Sequence, residues 1–548
     1  MKILSPATLA LTPLLIAAAP AAPTGSPISP DRLSADVRTL ASESFQGRAP
    51  GTPGEAKTID WLVAQFQAMG LRPGGRDGQW TQAVPLVRTR IGEGPVSANG
   101  VAWTQGRDVY LSSVRPDARE TVRGAPLVFV GYGVAAPERK WDDFKGVDLK
   151  GKVAVFLVND PDFEAAAGDD SVGRFGGRRM TYYGRWTYKF EEAARRGAVA
   201  ALIVHDTPGA GYGWATVTAP AGENYDVARP PVPRVALQGW IEGAAAERLF
   251  QAAGLDLPTL RRAARRSDFR PVPIPGAGFS ADLPVTVSRA ESRNVLAKLP
   301  GRTRPDEVVM YGAHWDAYGV GAPDAQGRTI RPGANDDALG VAGVLEIARA
   351  AARAPQPARS QVFALWTGEE RGLLGSETYA ADPIYPAATT VANLTLDILQ
   401  TAGPSRDVLL VGQGQNALED RLAAAARAQG RVVTPEALPE RGLFYRADHF
   451  SLARRGVPTL LLMAISGAPD LVAGGRTAGQ AWLDGYMRCY HQSCDAWSKD
   501  WDLRGAAADV DLIARVGFDL ARGGDWPEWR QGSEFRAVRA ESAAARGR

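Results

Sequence analysis

Four histidines occur among 548 residues, and two of them, His314 and His491, fall in segments that belong with a set of acidic residues. The segments read Gly312-Ala-His-Trp-Asp316, Gly333-Ala-Asn-Asp-Asp337, Trp366-Thr-Gly-Glu-Glu370, Leu396-Asp397 and Cys489-Tyr-His-Gln-Ser-Cys494. Several of them follow a short apolar run and place a His, Asp or Glu at its end. Strands of an α/β sheet deliver ligands to a shared edge in this way. Neutral imidazoles together with carboxylates form a donor set suited to zinc. The chemistry such a set supports is hydrolysis by a metal-activated water.

Spacing refines these assignments. Asp316 lies two residues beyond His314, so in a strand the two share a face and Asp316 can orient the imidazole. Asn335-Asp336-Asp337 stands just before a helical pattern starting near Ala338. Asp is a good N-cap, so Asp337 is expected nearer the cap and Asp336 is expected to point at metal. Adjacent Glu369 and Glu370 repel, and a buried edge tolerates both only where a cation or proton is shared. One can then bind metal while the other takes a proton from bound water; an exposed loop pair is the alternative. His205 lies far from these segments and is given no catalytic part. Cys489 and Cys494 are the only cysteines. In an exported protein so close a pair reads as a disulfide, here one that clips the loop holding His491.

The elements that must position these residues follow from periodicity. Strands are expected at 294–298, 308–312, 361–366, 390–399, 408–411 and 458–463, and helices at 338–354, 373–381, 417–429 and 507–523. This alternation predicts an α/β fold with a mixed, largely parallel sheet covered by helices. A helix–turn–helix is expected over 31–71, with a Gly/Pro-rich loop at 47–54. Short apolar strands at 125–130, 153–158 and 198–204, separated by long polar loops, read instead as an inserted β-rich module. The expected organisation is residues 30–115 as the first part of a catalytic domain, 116–285 as the insert, 286–530 as the rest of that domain, and 531–548 as a polar tail. Residues 146–152 have the glycine spacing of a P-loop. Val153 stands where Ser or Thr should hold magnesium and no strand precedes, so nucleotide binding is rejected.

Bulk properties narrow the classes. A chain of this length exceeds one ordinary core. A net charge of +3 and the lack of a basic stripe with interleaved aromatics exclude nucleic acid as a partner. At the N-terminus, Lys2, an apolar stretch over 3–19 and Ala19-Pro20-Ala21 read as an export signal over residues 1–21, which predicts a periplasmic or secreted product. The apolar stretch is short for a membrane span and is broken by Pro6 and Pro13, so no span is expected after its removal.

Taken together the motifs resemble the co-catalytic zinc exopeptidases of clan MH, the family of aminopeptidase Y and glutamate carboxypeptidase II. The segments H-x-D, G-A-N-D-D-A-x-G-V-A, E-E-x-G-L-x-G-S and the late Tyr490-His491 pair stand in that family's order, over roughly 35–90 and 290–525. The resemblance implies two zinc ions, one on His314 and Asp397, the other on Glu370 and His491, with Asp336 bridging. It implies Glu369 as general base and Tyr490 as donor to the oxyanion. Arg446-Ala-Asp-His449 resembles a segment lining the family's substrate pocket, which makes Arg446 and His449 expected substrate or supporting contacts. Thr395 and Ile398 depart from the family's usual Asn and Met around the late Asp, and neither replaces a ligand. The insert resembles a protease-associated (PA) domain. The implied activity is removal of N-terminal residues from peptides. A carboxypeptidase, a glutaminyl cyclase of the same fold and a non-catalytic binding protein are the alternatives.

Overall fold

The computed structural model describes residues 27–220 and 222–547. The expected export signal lies outside these residues. Three parallel neighbours form the centre of the first sheet: Arg359–Trp366, Arg304–His314 and Thr390–Leu396. Arg359–Trp366 and Thr390–Leu396 are buried along their whole length. Near-continuous apolar runs are what a parallel strand covered on both faces requires. Within Arg304–His314 the two-residue period sorts the side chains. Val309, Tyr311 and Ala313 join one core, while Val308 and Met310 join the core on the opposite face.

Outward from this centre the sheet becomes mixed. Thr459–Leu462 pairs parallel with Thr390–Leu396. Asp407–Val411 then runs antiparallel to it and parallel to Val432–Pro435. On the other side the C-terminal end of a 28-residue strand, Val272–Leu299, lies antiparallel to Arg359–Trp366. The helices Pro30–Leu40, Pro53–Ala68, Leu339–Arg353 and Arg504–Arg522 pack their apolar faces into one continuous core on one side of this sheet. Thr52 caps the second of them by accepting from Glu55 N–H, and Pro53 suits its first turn.

The long strand also builds a second sheet. Its N-terminal half pairs with Val96–Ala98 and Arg119–Phe129. Val153–Leu157, Ala200–Val204 and Leu237–Ile241 continue that sheet in parallel, and Val109–Ser112 closes it antiparallel. Helices Trp186–Arg195 and Gly243–Ala252 flank it, so the module is mixed in structure. The register of Val272–Leu299 shifts between Ile274 and Phe279. Gly278 sits there at φ 78°, where a Cβ would lie 2.6 Å from the Gly124 carbonyl oxygen. Only glycine fits that bulge. Among the described residues no helix is long and apolar enough to cross a membrane.

The core of the first sheet is packed tightly where helix Arg504–Arg522 meets it. Tyr311 is fully buried, stacks on Phe363 with centroids 5.3 Å apart and donates to Gln361. A Cβ on Gly517 would stand 2.5 Å from the Tyr311 Cε1. Gly517→Val is therefore expected to destabilise the fold by about 1–3 kcal/mol through overpacking. The urea midpoint measures this, and an unshifted midpoint would show that the interface is slack.

Candidate metal centre

Three adjacent strand ends and two loops bring the sequence-predicted residues together. His314 is the last residue of its strand and lies level with Trp366. Glu369 and Glu370 follow Trp366 around a turn, and Asp397 follows Leu396. Asp336 comes from the loop before Leu339–Arg353, and His491 from the turn after Gly475–Met487. Parallel neighbours thus offer their C-terminal ends to one point, as open α/β sheets do.

Asp336 stands between the two imidazoles. Its Oδ1 is 3.1 Å from His314 Nε2 and its Oδ2 is 3.2 Å from His491 Nε2. Glu370 Oε2 lies 3.2 Å from His491 Nε2, and Asp397 Oδ1 lies 3.9 Å from His314 Nε2. His314, Asp336 and Asp397 form one group of donors, and Asp336, Glu370 and His491 another, each within 4.8 Å. Asp337 takes the other task. It accepts from Gly340 N–H at 2.9 Å and from His314 N–H at 3.2 Å, so it caps the helix and ties it to the strand end.

The imidazoles are aimed by their other nitrogens. His314 Nδ1 is 3.1 Å from the Asp316 carbonyl oxygen. A carbonyl only accepts, so Nδ1 carries the hydrogen and Nε2 faces the carboxylates. Asp316 orients His314 chiefly through its main chain; its carboxylate, 3.6 Å away, accepts instead from Glu369 N–H at 3.1 Å. His491 Nδ1 lies 3.1 Å from the Tyr318 hydroxyl.

Electrostatics at the site are those of a crowded, dry cluster of acids. Burial first, and then neighbouring carboxylates, push Glu369 and Glu370 well above the usual range. Burial likewise raises Asp397 to about 7. Burial opposes the charge on Asp336, but the two histidines outweigh it and hold its carboxyl low. Burial also works against charge on His314, and Glu369, Asp316 and Asp336 overcome it, so its pKa stands well above normal. Asp336 Oδ2 and Asp397 Oδ1 are buried and accept no hydrogen bond. A tetrahedral zinc with bonds near 2 Å separates its ligand atoms by about 3.3 Å. The donor spacings here bracket that value, so the residues fit two such ions sharing Asp336.

The other predicted residues are placed as follows. Tyr490 lines the cleft above the cluster with its ring 3.6 Å from that of His491. Arg446 lines the same cleft, whose volume is about 360 Å³. His449 is fully buried beneath the wall, edge-on to Phe444, and does not line the cleft; burial pulls it down to about 3. Cys489 and Cys494 are joined in a disulfide around His491. His205 lies in the second module, 3.0 Å from the Tyr212 carbonyl oxygen.

Several groups to which the sequence assigns no role support the site, among them Asp495, which ends the late Tyr490-His-Gln-Ser-Cys-Asp segment. Asp495 accepts from the N–H groups of Asn335 and Asp336 at 3.0 and 3.1 Å and so fixes the bridging residue's loop. Arg48 is fully buried and donates to the carbonyls of Leu40, Trp315, Pro332 and Gly333. Asp448, raised to about 7 by burial, accepts from Ser376. Asp495 follows Cys494 directly, so its place in the late motif was the available signal; Arg48 had none beyond its loop. Because Asp495 holds Asp336, Asp495→Ala is expected to weaken zinc affinity about 10–100-fold. Competition with a chelating dye measures this, and unchanged affinity would remove Asp495 from the scaffold of the site.

Residues 294–514 match the model of Peptidase family M28. The chain is 31% identical over 230 residues to Leupeptin-inactivating enzyme 1 of Streptomyces exfoliatus, covering 41% of this chain and 48% of that protein. It therefore spans about half the length of that relative. It is 27% identical over 438 residues to the probable lipoprotein aminopeptidase LpqL of Mycobacterium tuberculosis, covering 77% of this chain and 71% of that one. Among solved structures, an aminopeptidase from Aneurinibacillus sp. strain AM-1 aligns with a TM-score of 0.49 at 20% identity, over 91% of this chain and 95% of the other. His314, Asp336, Glu369, Glu370, Asp397 and His491 all lie within the matched span, so the candidate centre falls inside the residues that are similar to Peptidase family M28.

Proposed function

We propose that the chain is an exported zinc aminopeptidase. The observation that carries this reading is the position of Asp336 between two histidines, with one further carboxylate beside each. His314 and Asp397 would hold one ion, Glu370 and His491 the other, and Asp336 both. Bound zinc at such a site acidifies water and polarises a carbonyl. The names of the two curated relatives, an aminopeptidase and an enzyme that inactivates leupeptin, agree with peptide chemistry. The disulfide suits an oxidising compartment and so supports export.

The chain's own groups then have separate tasks. Glu369 lies 4.0 Å from His314 Nε2 but belongs to neither donor group. Standing outside both groups, its carboxylate can take a proton from the attacking water and return it to the leaving amine. Tyr490 faces the cleft and can donate its hydroxyl hydrogen to the carbonyl oxygen as charge builds there. The buried floor of the cleft excludes bulk water, which strengthens both interactions.

Peptides with free N-termini and their N-acetylated twins test the reading, each with and without a chelator, on protein recovered from the periplasmic or secreted fraction. Chelator-sensitive loss of N-terminal residues from the free set alone is expected. Trimming of both sets from the C-terminus would replace aminopeptidase with carboxypeptidase, and protein confined to the cytoplasm would overturn export. Replacing the base, Glu369→Gln should lower kcat about 10²–10⁴-fold while zinc content stays constant. Turnover retained at full zinc occupancy would show that another group takes the proton.

A further inference from the structure

The two imidazoles of the donor cluster are held in different ways. His314 ends a buried strand, its side chain is 1% exposed, and its Nδ1 donates to a main-chain carbonyl oxygen. His491 stands on a turn, its side chain is 27% exposed, and its Nδ1 lies 3.1 Å from a side-chain group, the Tyr318 hydroxyl. Asp336 Oδ2 and Glu370 Oε2 both lie against its Nε2. With Nε2 kept for an ion between those carboxylates, Nδ1 carries the hydrogen and the Tyr318 oxygen accepts it. The rings of Tyr318 and Tyr490 stand 4.6 and 3.6 Å from the imidazole. The aim of His491 thus depends on two phenols, and of these it is Tyr318 that engages Nδ1.

Tyr318 needs support of its own, because it lies on a loop beyond the strand that ends at His314. The guanidinium carbon of Arg371 stands 4.8 Å from the Tyr318 ring centre and 5.0 Å from that of Tyr225. A guanidinium is attracted to the face of an aromatic ring, and its flat shape lets it bridge two of them. Tyr225 belongs to Glu223–Val227, the strand that the second module lays beside Thr81–Ile91, where it stands opposite Arg88. Arg371 directly follows Glu370, the other donor grouped with His491. Contacts therefore run from the module's strand through Tyr225, Arg371 and Tyr318 to the imidazole. A group that fixes the tautomer and direction of a ligand ring governs how well that ring binds metal. We propose that Tyr318 is a positioning residue for His491, held in place by the Tyr225–Arg371 stack, so that the second module sets how firmly the ion on Glu370 and His491 is bound. The ion on His314 and Asp397 is left to the strand ends. This rests on the two-zinc reading above.

The test is zinc release from the loaded full chain into a graded series of chelator concentrations, with the zinc left on the protein measured directly. Two steps are expected, and His491→Ala, which removes one of them, marks the step that belongs to Glu370 and His491. Tyr318→Phe keeps the ring and the stack but loses the hydroxyl oxygen; it should weaken the marked step about 10–100-fold and leave the other in place. Tyr225→Ala removes one cation–π contact and should weaken the same step about 2–5-fold, while Tyr225→Phe should not move it. Arg371→Gln, which takes away the guanidinium from both rings, should act in the same direction as Tyr225→Ala. A marked step unmoved by Tyr318→Phe overturns the positioning role. Equal shifts of both steps overturn it too, since they would report a general loosening of the fold. Curves for Tyr225→Ala and Arg371→Gln that superpose on the unsubstituted one overturn the module's part. Failure of the unsubstituted protein to hold two zinc ions would instead end the two-zinc reading itself.

Discussion

The structure is organised around one electrostatic constraint: several carboxyl groups share a dry site with two imidazoles. Asp336, Asp337, Glu369, Glu370 and Asp397 are all withdrawn from water, and most are pushed toward their neutral forms. Two histidines offer at most two positive charges against five carboxyl groups, and Born costs at such depth are large. Only Asp336 keeps a low pKa, because it alone lies against both histidines. The arrangement therefore favours a positive charge on each side of Asp336. The same constraint explains why the adjacent Glu369 and Glu370 diverge, one toward His314 and the other toward His491.

Holding such a cluster requires a scaffold that does not relax when its charges change. Main-chain groups supply much of it. Asp495 grips the N–H groups of Asn335 and Asp336, Asn335 accepts from Leu399 N–H at 3.1 Å, and Asp337 accepts from the strand end and the helix start. Arg48 binds carbonyls on both sides of the cleft floor, from Trp315 to Gly333. Each buried donor or acceptor used in this way would otherwise cost about 1–3 kcal/mol. The loop bearing Asp336 is thus fixed by partners from the N-terminal helices, the sheet and the disulfide-bounded turn together.

What could be read from the sequence follows from how each element is buried. The strands ending at His314, Trp366 and Leu396 are covered on both faces toward their C-terminal ends, so they finish in largely apolar runs whose ends announce the site. The Val272–Leu299 strand alternates between buried and exposed positions and carries Ser288, Arg289, Glu291 and Arg293, so only its last few residues signalled a strand. Helix Gly475–Met487 buries only Gly479 and has no apolar stripe to detect. The candidate donors stood out in the sequence because metal chemistry restricts such residues to a few types, here His, Asp and Glu. Arg48 did not, because its meaning lies in a partner 267 residues away; Asp495 could be placed in the late motif, but its partner 160 residues away could not. His449 shows the opposite limit: a histidine beside a pocket motif that the fold turns into its apolar wall.

The second module matters through the strand it shares. Val272–Leu299 pairs with the catalytic sheet at one end and with the second sheet at the other, so the two cannot hinge freely about a flexible linker. Glu223–Val227 adds a further tie by pairing with Thr81–Ile91, which itself lies along the long strand. Tyr182 packs on Phe450 and Glu191 binds Arg454, closing the contact next to the cleft. Side chains from the module, Trp186 and Phe190 among them, therefore stand at fixed distances from the donor cluster. Recognition groups need that rigidity, since a displacement of about 1 Å can cost about 10²-fold in rate. A module anchored by a continuous strand thus holds its share of the cleft wall in place beside the donor cluster without contributing a donor to it.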